Sequence, residues 1–244
     1  MNRLLFILSF LFSITCLISQ SWSLPACPSS PPFKECYGSY TYENGNIYQG
    51  EWKNNEYSGK GQFFWNKTGS KYIGQFYRNK RHGKGTYIFG PNTNYAGDTY
   101  IGEYKDDKQN GKGIYIFSKN GKFAGEKYEG LYKDGKRNGY GVLYLRNGDV
   151  YEGEFKENKQ SGQGKYFFKS GAKYKGEFKD SKKHGQGKYT FKNGTFKEGI
   201  WKNNELLYEN KPNPTPSSNS KIEEYKTFCS EIGFTPGTEK FGEC

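Results

Sequence analysis

Residues 48–63 read Tyr48-Gln49-Gly50-Glu51-Trp52, then a turn-rich stretch over Lys53–Ser58, then Gly59-Lys60-Gly61-Gln62-Phe63. Tyr48, Gly50 and Trp52 fall at i, i+2 and i+4, and so do Gly59, Gly61 and Phe63. On extended chain each triplet points to one face. Gln49, Glu51 and Lys53 then point the other way, toward water. The Asn- and Ser-rich segment between the triplets reverses the chain, so the unit is a β-hairpin. Glycine weakens a strand, yet here it holds fixed slots. Clearance is the physical reason: a residue without a side chain lets a neighbouring ring lie flat over the backbone.

The unit recurs along the chain. It returns as Tyr72, Gly74, Phe76 with Gly83, Gly85, Tyr87, and as Tyr100, Gly102, Tyr104 with Gly111, Gly113, Tyr115. Further copies carry Tyr128, Gly130, Tyr132 with Gly139, Gly141 and Leu143-Tyr144, then Tyr151, Gly153, Phe155 with Gly162, Gly164, Tyr166. The last full copy has Tyr174, Gly176, Phe178 with Gly185, Gly187, Tyr189. Half-copies open the array (Gly38, Tyr40, Tyr42, Gly45) and close it (Lys197, Gly199, Trp201), as expected where terminal units meet solvent. Two matched insertions, Asn94–Asp98 and Lys122–Glu126, lengthen the spacing and should bulge from one side of the sheet. The expected fold is all-β: an elongated single-layer antiparallel meander of β-hairpin repeats, with short disulfide-bounded terminal segments. Two strands per repeat at ~4.8 Å give a rod of roughly 65–70 Å.

The ends differ from the middle. Arg3 is the only charge before Lys34, an apolar run follows from Leu4 to Ile18, and Ser21 and Ser23 flank a cleavage position, so residues 1–23 read as an export signal. An uncleaved anchor is the alternative, although the run is short for a span. Residues 24–35 form a Cys/Pro segment, 36–207 the repeat array, 208–220 a Pro/Ser/Asn linker and 221–244 a cysteine-bounded tail. Cys16 leaves with the signal, and Cys27, Cys36, Cys229 and Cys244 remain, an even set that suggests two disulfides in an oxidising compartment. Three pairings are open, the local one closing a short loop at each end. Lipidation at Cys27 is a further alternative. The chain ends on a cysteine, which leaves room for a truncated reading frame.

Composition limits the function classes. Hydrophobic residues are 33% and aromatics 18%, so rings replace the aliphatic residues of an ordinary core. Lys and Arg number 37 against 25 Asp and Glu, a balance that favours acidic partners or anionic surfaces. The two histidines, His82 and His184, share one repeat slot that elsewhere holds Asn110, Asn138, Ser58 and Ser161, which marks a tolerant turn position. Glu51, Glu103, Glu154 and Glu177 also share a slot, read as a solvated face with cross-strand Glu–Lys pairs. An active site occurs once, whereas these acids recur in repeat after repeat. The Gly-x-Gly pairs have strand spacing and no following helix, so they are not phosphate loops. No metal, cofactor or nucleic-acid site is expected, since the lysines are interleaved with acids and the signal leads away from nucleic acid.

The unit Y-x-G-x-aromatic followed by G-x-G-x-aromatic resembles the MORN repeat (membrane occupation and recognition nexus), over residues 36–206, about 70% of the chain. The resemblance implies elongated meanders that bind protein partners, in some cases self-associate, and have been proposed to bind phospholipid headgroups. It brings no catalytic residues. Lys197 and Leu143 depart from the pattern. The expectation is a non-catalytic binding or scaffolding module of the cell envelope, exported to the periplasm or beyond or held at the membrane, using an aromatic sheet face. That face comprises Tyr48, Trp52, Tyr72, Phe76, Tyr100, Tyr104, Tyr128, Tyr132, Tyr151, Phe155, Tyr174 and Phe178, with Tyr95 and Phe123 on the insertions. Cell-wall glycan and anionic phospholipid are the alternative ligands.

Overall fold

The computed structural model describes residues 24–121, 123–210 and 227–231. Fifteen antiparallel strands form one sheet in which every strand pairs with its sequence neighbours. They are β1 (Cys36–Thr41), β2 (Ile47–Lys53), β3 (Glu56–Trp65), β4 (Ser70–Tyr77), β5 (Lys80–Ile88), β6 (Thr99–Lys105), β7 (Lys108–Ile116) and β8 (Lys127–Lys133). The rest are β9 (Lys136–Tyr144), β10 (Val150–Lys156), β11 (Lys159–Phe167), β12 (Lys173–Lys179), β13 (Lys182–Thr190), β14 (Phe196–Lys202) and β15 (Glu205–Glu209). The array thus runs past Lys197, which stays in register opposite Tyr189, and two residues beyond position 207. Residues 1–23, read as an export signal, most of the linker, and Cys244 with most of the tail lie outside the described residues.

The two edges of the sheet are built differently. One carries two-residue turns with both residues in the left-handed region, such as Asn54-Asn55 (φ 52 and 64), Asp106-Asp107 (φ 48 and 69) and Asn203-Asn204 (φ 53 and 79). These are the turns whose twist matches paired strands, and Asn and Asp tolerate them best. Their side chains also stitch one repeat to the last: Asn79 Oδ1 accepts the Tyr57 amide (2.8 Å), Asn158 that of Arg137 (2.8 Å) and Asn204 that of Lys183 (2.9 Å). The other edge carries the longer loops, including both insertions. There a residue closing each loop accepts an amide of the next, as in Ser70 Oγ from Gly90 (3.0 Å), Asp98 Oδ1 from Ser118 (2.7 Å) and Asp149 Oδ1 from Lys169 (2.8 Å). Each repeat therefore bonds only to its neighbours.

The N-terminal segment plugs the first edge. Cys27 and Cys36 are disulfide-bonded, the Cys27 amide donates to Tyr37 O and the Tyr37 amide to Pro25 O, and Phe33 is buried against Trp52 at 4.5 Å. An open edge strand is a template for aggregation, and this bracket covers it. Closing so short a loop is worth about 2–3 kcal/mol in chain entropy. The Cys27→Ser/Cys36→Ser variant is therefore expected to lose about that much stability and to exchange the Tyr37 amide faster. Unchanged exchange at Tyr37 would mean that the disulfide does not hold the bracket. Cys229 is also disulfide-bonded.

Candidate binding surfaces

The repeat aromatics form a single chain of edge-to-face contacts. Tyr48 meets Trp52 within its strand (4.9 Å, 85°) and Phe76 of the next repeat (5.2 Å, 89°). The pattern continues through Tyr72–Tyr104 (5.2 Å), Tyr100–Tyr132 (5.1 Å), Tyr128–Phe155 (5.0 Å) and Tyr151–Phe178 (4.9 Å) to Tyr174–Trp201 (5.3 Å). Near-perpendicular rings suit the aromatic quadrupole. Tyr48, Tyr72, Tyr100, Tyr128, Tyr151 and Tyr174 are 0% exposed, and their partners Trp52, Phe76, Tyr104, Tyr132, Phe155 and Phe178 are buried too. The twelve rings read from the sequence as an open binding stripe are therefore the core, and that expectation is corrected. A single-layer sheet has no second layer to bury its rings, so they bury one another over the glycine rows. Tryptophan ends the ladder at both termini, with Trp52 Nε1 donating to Gly38 O (3.2 Å) and Trp201 Nε1 to Gly187 O (2.8 Å).

The glycine slots serve the clearance inferred from the sequence. A Cβ on Gly61 would sit 2.6 Å from Tyr48 Oη and 2.9 Å from its ring carbons. The tyrosine hydroxyls run on to donate to backbone carbonyls, Tyr48 to Glu51 O (2.7 Å) and Tyr151 to Glu154 O (2.9 Å). Burial pushes these phenols up, Tyr128 to about 12 against the opposing charge of Arg137, so they remain neutral donors. Cations lie over the rings from the strand beside them: Arg81 stands 5.3 Å from both Tyr87 and Tyr104, Arg137 5.4 Å from Tyr128 and Phe155, and Lys183 4.4 Å from Trp201.

The recurrent glutamates do something other than pair with lysines. Glu51 Oε1 accepts the Lys60 amide (3.0 Å), Glu154 that of Gln163 (3.1 Å) and Glu177 that of Gln186 (3.1 Å). Each folds over a left-handed glycine, as Glu51 does over Gly59 (φ 59), at a place where the strand register shifts. They cap bulges, and the expectation of Glu–Lys ladders at this slot is corrected. The histidine slot is not a turn: His82 and His184 lie inside β5 and β13, three residues past the tight turns, and that expectation is corrected. His82 stands beside Tyr77 (5.7 Å) with Nδ1 4.0 Å from Asp106, and burial lowers the His184 pKa. Among the described residues no group of three or more His, Cys, Asp or Glu side chains could hold a metal ion, and no helix is long and apolar enough to cross a membrane.

Two surfaces remain for partners. On the ring side, a second row beside the loop edge is half-buried: Trp65–Tyr87 (5.4 Å), Tyr87–Phe89 (4.7 Å), Phe89–Tyr115 (6.0 Å) and Tyr115–Phe117 (4.7 Å). The insertions cross this row, with Tyr95 5.5 Å from Phe89 and Phe123 5.6 Å from Phe117. Tyr95 is 58% exposed and Phe123 46%. On the opposite face the expectation of a solvated polar surface is also corrected. A row of directly paired residues runs Gln62, Ile73, Thr86, Ile101, Ile114, Glu129, Val142 across β3–β9, and its middle is apolar. It floors an open trough of about 890 Å³. Its signal in the sequence lies between the repeat tyrosine and glycine, where Gln49 of the first copy gives way to Ile73 and Ile101.

One electrostatic consequence can be tested. Burial alone would raise the Asp149 carboxyl, but donors from the Lys169 amide, the Tyr166 hydroxyl and Asn147 hold it below the usual range. A depressed carboxyl contributes stability that is present above its unfolded pKa and lost as pH falls through the folded one. Asp149→Asn is expected to flatten the loss of stability below about pH 4, measured by thermal melts at stepped pH. An acid limb identical to that of the parent chain would show that other carboxylates control it.

A family model for the MORN repeat matches residues 48–69, 72–93, 100–122, 128–150, 151–173 and 174–196, more than half of the chain. No curated protein matches it significantly. Among solved structures the chain is similar to a catalytically inactive virginiamycin B lyase from Staphylococcus aureus with quinupristin, at 12% identity, with 74% of this chain and 70% of that one aligned and a TM-score of 0.15. A likeness at that score carries no argument. The matched units coincide with the hairpins that carry the ring ladder, the paired glycines and the capped bulges, and the chain belongs to the MORN-repeat family.

Proposed function

We propose that the protein is an exported, non-catalytic scaffold of the cell envelope that holds a protein partner on the half-exposed ring row and the two insertion aromatics. Repeats of this family are generally binding or scaffolding modules and generally not enzymes. The observation that carries the reading is the pair Tyr95 and Phe123. They are large exposed rings in matched loops of adjacent repeats, each resting on a half-buried ring of the same row. Rigid rings of this kind supply contact area at low entropic cost. The leader read over residues 1–23 supports export.

The test uses the chain with a photoreactive phenylalanine at position 95 or 123, and at Lys156 on the opposite face as control, irradiated in the intact envelope. Discrete protein adducts from 95 and 123 and not from 156 are expected. The reading fails if the three positions give the same adducts. Retention of the chain on insoluble peptidoglycan, or on phosphatidylglycerol vesicles in a salt-dependent way, without such adducts would favour the glycan or lipid alternatives.

A further inference from the structure

The trough on the face opposite the ring ladder is a second surface, independent of the row just described. In other copies its slots are polar or charged. The position between repeat tyrosine and glycine is Gln49, Glu152, Lys175 or Glu198 elsewhere, but Ile73 and Ile101 here, with Glu129 at the trough's far part. The position after the second glycine of the second strand is Gln62, Lys165 or Lys188 elsewhere, but Thr86, Ile114 and Val142 here. The fourth repeat changes twice more. Leu131 stands where Glu51, Glu103, Glu154 and Glu177 cap bulges, and Tyr140 stands where Lys60, Lys84 and Lys112 do. The substitution gives up a backbone cap and leaves Leu131 37% and Tyr140 52% exposed. Both line the same trough as Ile73, Ile101, Ile114 and Val142. Exposed apolar residues gathered at the expense of a structural hydrogen bond mark a surface that something covers.

The walls say what kind of occupant fits. Glu129 is paired with Lys127 (2.6 Å), and Glu103, turned onto the Lys112 amide (3.3 Å), keeps its charge, so Lys84 and Lys112 outnumber the one unpaired carboxylate along the trough. Beyond Val142 the same row continues through Glu152, Lys165, Lys175, Lys188 and Glu198, directly opposite one another on β10–β14. Lys165 pairs with Glu152 (3.6 Å) and Lys188 with Glu198 (3.0 Å), so Lys175 is the lysine of this row without an ion pair among the described residues, and it stands opposite two like charges. The trough runs across the strands, and strands β4–β9 are paired on both sides, so a peptide lying along it finds no free backbone partners. It must satisfy its own, which a helix does. Six strands at ~4.8 Å span about 24 Å, the length of a helix of about 16 residues. This face already takes a helix at its C-terminal end, where Phe228 of the helix at 227–231 lies 6.0 Å from Tyr208, the cross-strand partner of Ile200.

We infer that the trough over β4–β9 is a docking site for an amphipathic helix of a partner protein, apolar on the face turned to Ile73, Ile101, Ile114 and Leu131 and acidic along its flanks. The probe is a fluorescein-labelled 18-residue peptide with leucines at i, i+3, i+4 and i+7 and glutamates on both flanks, followed by anisotropy against the mature chain. Two controls carry lysines on the flanks or two central prolines. Leu131→Glu and Ile101→Glu each install a residue that other repeats hold at the same slot, so both variants are expected to fold, checked by circular dichroism. Each should weaken the acidic helix by about tenfold or more, while Phe123→Ala leaves it unchanged. No binding of the acidic helix, equal binding of the lysine or proline peptide, or undiminished binding by both folded variants would overturn the proposal. So would a dimer in solution that Leu131→Glu dissociates, or phosphatidylglycerol vesicles that sediment the parent chain but neither variant.

Discussion

Gly164→Ala is expected to lower the stability of the array by about 3 kcal/mol. Gly164 faces Gly153 on one side and Gly176 on the other. A Cβ there would stand 2.6 Å from Tyr151 Oη and 2.7 and 2.8 Å from two carbons of that ring. Tyr151 is wholly buried between Phe155 (5.2 Å) and Phe178 (4.9 Å), so it has nowhere to go. Relief requires either breaking its bond to Glu154 O or spreading β10 from β11. Gly135→Ala is the control. Gly135 has φ 83 and nothing within 4 Å of its added Cβ, so only the left-handed penalty applies, about 1 kcal/mol. Urea denaturation of both variants separates the two causes. Equal losses would mean that backbone conformation, and not ring clearance, explains the conserved spacing of glycines within this chain.

Trp201→Ala is expected to cost about 3–5 kcal/mol, the range for removing a large buried aromatic. The indole closes the ring ladder on Tyr174 at 5.3 Å, donates to Gly187 O at 2.8 Å and lies under Lys183 at 4.4 Å. Its loss opens Tyr174 and Tyr189 to water and takes from Lys183 the nearest of the three rings it lies over. Because each repeat bonds only to its neighbours, the damage should stay local. Amides of β12–β15 are expected to exchange much faster while those of β2–β7 keep their protection. Uniform loss of protection across the sheet would show that the array folds as one cooperative unit, and the nearest-neighbour picture would have to be abandoned.

The hairpins, their order and the clearance role of glycine were legible in the sequence because spacing at i, i+2 and i+4 fixes which side chains share a face, whatever surrounds them. The N-terminal disulfide was one of three open pairings, and proximity at the first edge selects Cys27 with Cys36. What the sequence hid was a matter of who touches whom. Spacing places Tyr48 and Trp52 on one face, but it does not say whether Phe76 of the next repeat covers them. It places Glu51 on the other face, but it does not reveal that the carboxylate turns back onto the Lys60 amide. The tight turns were read as a loose stretch over Lys53–Ser58, and the structure narrows each to two left-handed residues.

A strict two-residue period with glycine at fixed slots dictates a ladder of hairpins with rings on one side and admits little else. That the rings consume their own surface follows from how the repeats stack in space, which no spacing within one unit specifies. Successive repeats lie about 10 Å apart, two strand spacings, and at that distance each tyrosine reaches the aromatic of the next copy. Burial therefore passes from repeat to repeat, and it leaves to solvent the row beside the loops, the rings of the two insertions, and the apolar trough on the far side.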